Sequence, residues 1–177
     1  MRIGLSGAQS VGKTTLLSAL RSEKIFNGFT ICDEVTRRVA SYGLPINEGG
    51  NSLTQKLIMH EHIVNVFMYD KMITDRTALD GLVYTEYLRI NGKIKDDDYY
   101  HVRDIFQRVS PMYDYLFYIP PEFPIVDDGV RSTDNKFREE ISYIFESKIK
   151  KYNLNVIRVT GSVRDRVTKV VEIIEGR

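Results

Sequence analysis

The chain has 177 residues, 42% of them hydrophobic and 28% charged, with a formal net charge of +1 and a single cysteine. Length and composition predict one domain over residues 1–177, with a full core and little room for a second. Near-neutral charge excludes a general electrostatic pull toward nucleic acid, lone Cys32 excludes an internal disulfide, and no apolar run approaches bilayer length. The first residues read directly as a strand, so no signal peptide and no membrane partner are expected, and the expected location is the cytoplasm.

The first element is an apolar strand over residues 2–5. Gly7-Ala8-Gln9-Ser10-Val11-Gly12-Lys13-Thr14 follows it and has the form G-x-x-x-x-G-K-[ST], a phosphate-binding P-loop. Its two glycines let successive backbone N–H groups turn inward around an anion. A helix predicted from about Lys13 to Ser22, running through Thr15, Leu16 and Leu17, adds its unpaired N-terminal donors. The nucleotide-binding stretch is therefore residues 7–15. Lys13 is expected on the β- and γ-phosphates of ATP, and the Thr14 hydroxyl on Mg²⁺.

A second strand is predicted over Gly28–Cys32, ending on Asp33-Glu34, and a helix then runs to Gly43-Leu44-Pro45. Ser52 is expected to cap the next helix, in which Leu53, Leu57, Val64, Phe67 and Met68 form one apolar stripe, the pattern of a core-facing side. Met72–Arg76 is a third strand that ends in charge. The helix after it carries Leu79, Val83, Tyr87 and Ile90 and closes at Asn91-Gly92. Asp96–Asp98 read as the acidic start of a helix over 99–109 rather than as a metal cluster. His60, His62 and His101 lack ligand spacing, so zinc is not expected.

Tyr115–Ile119 is the most strand-like run, ended by Pro120-Pro121. Residues 122–134 read as a loop, Phe137, Ile141, Ile144 and Ile149 as a helix, and Leu154–Val159 as a fifth strand. Val163, Val167, Val170, Val171 and Ile174 mark the last helix. The lysines at 148, 150 and 151, and the basic residues Arg164, Arg166 and Lys169, are read as solvated helix faces. Five strands alternating with helices predict an α/β, three-layer P-loop NTPase fold around a five-stranded parallel sheet. Such sheets bind ligands beyond their strand ends, where the P-loop, Asp33-Glu34 and Asp75-Arg76 all fall. Asp75 has the place of the second, Mg²⁺-ordering acidic residue, and a helix N-cap is its other reading.

Asp75-Arg76-Thr77-Ala78-Leu79-Asp80-Gly81-Leu82-Val83-Tyr84 resembles the Asp-Arg-x-x-x-[Ser/Asp]-x-x-x-Tyr segment of thymidylate kinase and related small P-loop kinases. Glu34-Val35-Thr36-Arg37 is similar to the Glu-x-x-Arg element of nicotinamide riboside kinase-type domains, and Gly129–Arg138 resembles an arginine-bearing lid. The resemblance implies an ATP-dependent phosphotransferase with a lid over roughly 122–138 and a small nucleoside or nucleotide as acceptor. It implies Asp33 or Glu34 as base, with Glu34 preferred, Arg37 and Arg76 on the acceptor, and Arg131 with Arg138 on the transferred group. The proline-glycine segment of thymidylate kinase after strand two is absent, which separates this chain from a thymidylate acceptor.

Three alternatives stay open: a nucleic-acid terminus or modified base as acceptor, a P-loop ATPase, and a nucleotide-sensing module. The Asn-Lys-x-Asp guanine-reading motif follows neither late strand, which argues against a GTPase. Oligomeric state, monomer or homodimer, is not specified by any residue pattern.

Overall fold

The computed structural model describes residues 1–33, 35–122 and 135–176. Five strands form one sheet: β1 (Arg2–Ser6), β2 (Thr30–Cys32), β3 (Met72–Asp75), β4 (Tyr115–Tyr118) and β5 (Ile157–Arg158). Their order is β2-β3-β1-β4-β5, and every neighbouring pair is parallel. β1 lies at the centre because its side chains are apolar or small and buried from Ile3 to Ser6. The register sets Leu5 opposite Asp75 on one side and Phe117 on the other. The C-terminal ends of β1 and β3 are thus level, and the P-loop emerges beside Asp75.

Seven helices occur among the described residues: α1 (Lys13–Leu20), α2 (Val35–Ser41), α3 (Ser52–Met68), α4 (Ala78–Ile90), α5 (Asp96–Val109), α6 (Asn135–Lys151) and α7 (Val163–Glu175). α1 packs with α7, while α4 is surrounded by α3, α5 and α6. That enclosure explains why α4 is buried nearly all round, from Ala78 to Thr85 and at Leu88, rather than along one stripe. Ile90, expected in that stripe, is exposed. α5 starts at Asp96, so the three aspartates occupy its first turn as the dipole favours.

Several expectations are corrected. The cap of α3 is Asn51, whose side chain accepts from Thr54 N at 3.0 Å, whereas Ser52 is the first helical residue and its hydroxyl donates to Asp98. More consequentially, α3 is turned the other way from its apolar stripe. Leu53, Val64, Phe67 and Met68 are exposed, and the buried side is Thr54, Gln55, Ile58, Met59, His62, Asn65 and Val66. β5 is only two residues long rather than six. Lys148 and Arg166 are not on solvated faces. Lys148 is buried on Glu86 and the Tyr99 hydroxyl, at 2.9 and 3.0 Å, and Arg166 is buried against the P-loop. Among the described residues no helix is long and apolar enough to cross a membrane.

Candidate active site

The P-loop leaves β1 and closes on the start of α1 with two glycines that no other residue would replace without strain. A Cβ on Gly7 would lie 2.4 Å from the backbone oxygen of Ile119, and Gly12 has φ +89° with the Arg166 guanidinium beside it. Ser10, between them, also has a left-handed φ of 58°. Ala8, Gln9 and Val11 are buried, while Thr15 points outward from α1. Lys13 is buried, and its Nζ donates to the carbonyls of Gly7 and Ala8 at 2.7 and 2.6 Å. The ammonium is thereby held inside the loop.

The end of β3 meets the loop at Thr14. Its hydroxyl donates to Asp75 Oδ2 at 2.6 Å, and the second oxygen, Oδ1, is buried without a hydrogen-bond partner among the described residues. Asp75 is not a helix cap. That place is taken by Thr77, whose side chain accepts from Leu79 N, with Asp80 completing the capping box on the Thr77 backbone. A buried, unsatisfied carboxylate oxygen beside a hydroxyl is an unfavourable arrangement by itself, and it suits a hard cation that takes oxygen ligands. Thr14 and Asp75 therefore fit Mg²⁺.

Arg76 follows at φ 77°, a left-handed conformation in a non-glycine residue. The turn sends its guanidinium the other way, over the Tyr84 ring at 5.0 Å and 3.4 Å from Asp80 Oδ1. The Tyr84 hydroxyl donates to Gln9 Oε1 at 3.0 Å, which ties α4 to the P-loop. Thr77 shares a 2.7 Å hydrogen bond with Ser6 at the end of β1. Burial raises the pKa of the Asp80 carboxyl, against the opposing pull of Lys13 and Arg76. Asp80 thus faces two cations, one from the phosphate loop and one from the strand end.

Between these elements lies a cavity lined by Ser10, Lys13, Thr14, Arg37, Asp75 and Arg76, with residues of the α2 start and the 46–47 turn. It adjoins a second, smaller cavity that shares Thr36, Asn47 and Arg76 with it. Gln55, Ile58, Asp80, Gly81 and Tyr84 complete that second wall. Lys13, Thr14, Asp75, Arg76 and Arg37 are therefore brought together as expected. Asp33 is exposed just beyond β2 and does not line the cavity, and Arg138, in the first turn of α6, does not line it either. Glu34, Arg131 and most of the expected lid at 122–138 lie outside the described residues.

The P-loop has a further support that the sequence did not suggest. Arg166 of α7 donates to Val11 O at 2.7 Å, to Gly161 O at 2.9 Å and to Glu122 Oε2 at 2.9 Å. Glu122 also accepts from Gly161 N. One buried guanidinium so joins the phosphate loop, the turn before α7 and the segment that leaves β4. Gln55 was missed as well. It lies on the face of α3 opposite the apolar stripe, so the helix pattern gave no signal for it.

Comparison with known proteins agrees with this architecture. The NadR protein, solved in complex with NR, superposes with a TM-score of 0.76 at 16% identity over 99% of this chain and 52% of that one. This chain thus spans about half the length of NadR. A deoxyadenosine kinase from M. mycoides, with dCMP and dCDP bound, superposes at 0.72, with 16% identity and complete coverage of both chains. Thymidylate kinase from Candida albicans gives 0.63 at 15% identity, covering 99% of this chain and 91% of that one. At such identities the likeness is one of fold. No curated protein sequence matches the chain. A family model described as an AAA domain matches residues 2–166, nearly the whole chain, and the chain belongs to that family.

Proposed function

We propose that this protein is an ATP-dependent kinase that transfers the γ-phosphoryl group to a nucleoside or nucleotide. The observation that carries the reading is the second cavity, which adjoins the one at the phosphate loop and shares Arg76 with that first cavity. A hydrolase needs no recognition groups beyond the phosphates. This pocket instead offers an amide at Gln55, an aromatic ring at Tyr84 and the charges of Arg76 and Asp80. Such a mixture of apolar wall and a few aimed polar groups suits a base and sugar. The deoxyadenosine and thymidylate kinases among the similar folds act on acceptors of that class.

In this reading the P-loop backbone from Gly7 to Thr15 holds the phosphates of ATP, and Lys13 neutralises charge on the transferred group. Thr14 and Asp75 would hold Mg²⁺, which supplies charge neutralisation at the phosphates when bound. Arg37 and Arg76, which both line the cavity at the phosphate loop, orient the acceptor. Glu34, the residue before α2 in the sequence, would take the proton of a hydroxyl acceptor, in preference to Asp33, which is exposed and lines neither cavity. Arg131 and Arg138 are assigned to the transferred group by resemblance alone.

The test is transfer of label from γ-labelled ATP to a panel of nucleosides, deoxynucleotides, nicotinamide riboside and DNA ends. Transfer to a nucleoside or free nucleotide is expected. Labelled DNA alone would move the acceptor to a polymer. Steady-state release of phosphate with no acceptor labelled would favour an ATPase and overturn the kinase reading.

A further inference from the structure

α6 is seated on α4 through an aromatic contact at its start. Phe137, in the first turn of α6, is 2% exposed and lies against Tyr84 and Tyr87, two rings one turn apart on α4. The centroid distances are 6.0 and 4.7 Å and the interplanar angles 79° and 66°, the edge-to-face geometry that aromatic pairs favour. The repeat Phe137, Ile141, Ile144, Phe145 and Lys148 accounts for its burial, and any large apolar side chain would fill such a place. What distinguishes Phe137 is the ring it touches. Phe145, further along the same helix and fully buried, packs on Tyr118 of β4 at 5.5 Å, and neither of those two lines a cavity of the site. Tyr84 forms part of the wall of the second cavity.

Three elements engage Tyr84. Its hydroxyl donates to Gln9 Oε1 in the P-loop at 3.0 Å, the Arg76 guanidinium lies over its face at 5.0 Å, and Phe137 meets it from α6. The hydrogen bond to Gln9 fixes where the ring ends but not which way its plane faces. A phenol can turn about the axis through its own oxygen without moving that oxygen, and this last torsion is a soft one. Such a turn would take the ring face away from Arg76 and reshape the wall beside Gln55, Ile58 and Asp80. A side chain packed against the ring is what stops it, and Phe137 is so placed.

We propose that Phe137 is a positioning residue for the acceptor: it fixes the plane of the Tyr84 ring, and through that plane the seat of Arg76 and the wall of the second cavity. The role rests on the kinase reading, in which that cavity receives the acceptor. Phe137 itself lines neither cavity, so it acts through Tyr84. The start of α6 is thereby tied to acceptor recognition. The nucleotide side is held independently, by Lys13 on the carbonyls of its own loop and by Arg166 on Val11. A loosened Tyr84 therefore affects the acceptor more than ATP. Edge-to-face contacts of this kind shift an equilibrium about two- to tenfold.

Two measurements test the role. The first is steady-state kinetics of parent and Phe137→Leu with deoxyadenosine and nicotinamide riboside as acceptor probes. Leucine keeps the apolar fill and removes the ring; should that variant be too unstable to assay, Phe137→Met serves the same purpose. The acceptor KM should rise about two- to tenfold while the KM for ATP changes less than about twofold. Phe145→Leu, the same exchange in another buried ring of α6, should lower thermal stability comparably and leave the acceptor KM at the parent value. In a Tyr84→Leu background, Phe137→Leu should add nothing to the acceptor KM, because its effect passes through that ring. The second measurement needs no turnover: NMR of protein carrying labelled tyrosine rings, with the Tyr84 signal identified by its loss in Tyr84→Phe, reports the rate of ring flipping. Slow flipping is expected in the parent and in Phe145→Leu, and fast flipping in Phe137→Leu. Equal shifts of acceptor KM in Phe137→Leu and Phe145→Leu, additive effects of Phe137→Leu and Tyr84→Leu, or a Tyr84 ring that flips alike in parent and Phe137→Leu would each overturn the inference. A parent that phosphorylates neither probe would count against the kinase reading alone, and the ring rates would then decide whether Phe137 holds Tyr84.

Discussion

His62 lies on the inward side of α3, fully buried, with neither ring nitrogen hydrogen-bonded among the described residues. Burial first, and then the nearby Arg76 guanidinium, push its pKa down from 6.5 to about 3. Replacing it by leucine, which fits a helix and does not titrate, isolates the effect. In the unfolded chain the imidazole takes up a proton that the folded site refuses. The stability that a neutral His62 preserves is therefore complete above pH 6.5 and is lost as pH falls toward 3. Between those limits the loss approaches about 1.4 kcal/mol per pH unit, which comes to roughly 2 kcal/mol between pH 7 and pH 5. That is a large share of the 5–15 kcal/mol typical of a domain, about 0.05–0.15 kcal/mol per residue. Urea unfolding of parent and His62→Leu at pH 7, 6 and 5 measures it. The parent should weaken relative to the variant by that amount. A constant offset between the two profiles would refute the reasoning, as would a His62 resonance that titrates near 6.5 in the folded protein.

Three further outcomes follow from the site. Lys13→Ala should lower transfer by roughly two to three orders of magnitude with the fold unchanged, a comparison of turnover against circular dichroism. Asp75→Asn removes the charge but keeps an acceptor for Thr14, so turnover should fall and the Mg²⁺ requirement rise about ten- to a hundredfold, while nucleotide binding measured by calorimetry stays within a few-fold. Superimposable metal titrations would exclude Asp75 from the metal site. Arg166→Ala should raise the KM for ATP more than it lowers kcat, because it frees the P-loop and the turn at Gly161 together. Arg166→Lys, which keeps the charge but not the three-way fork, should restore little of it.

What the sequence disclosed was local or periodic. The P-loop is contiguous, so spacing alone identified it, and the apolar strands around it required only their order. Asp75 and Thr14, 61 residues apart in the chain, were assigned to one metal site because each ends or begins an element at the same sheet edge. The orientation of α3 was not legible. Periodicity reveals that a helix has an apolar side but not which way that side faces, and here the polar side, with Gln55, His62 and Asn65, is the buried one. Lys148 and Arg166 were misread for a similar reason: a basic residue near a helix end resembles a solvent charge until Glu86 or the Val11 carbonyl is seen opposite it. Tyr84 stood in the quoted kinase-like segment, yet its bond to Gln9 depends on a fold contact across 75 residues. The expected base and lid, at Glu34 and Arg131, fall outside the described residues.

The backbone turn at Arg76 has a consequence for how this protein could change. A non-glycine residue held at φ 77° costs about 1–2 kcal/mol, and glycine at that position would recover part of it. The Arg76 guanidinium offsets that cost: it lies 3.4 Å from the buried Asp80 carboxylate and over the Tyr84 ring, so glycine would relax the turn and leave a buried acid short of a cation. Backbone strain and side-chain pairing are thus inseparable at a single codon, and a sequence that drifted toward the easier turn would have to change Asp80 with it.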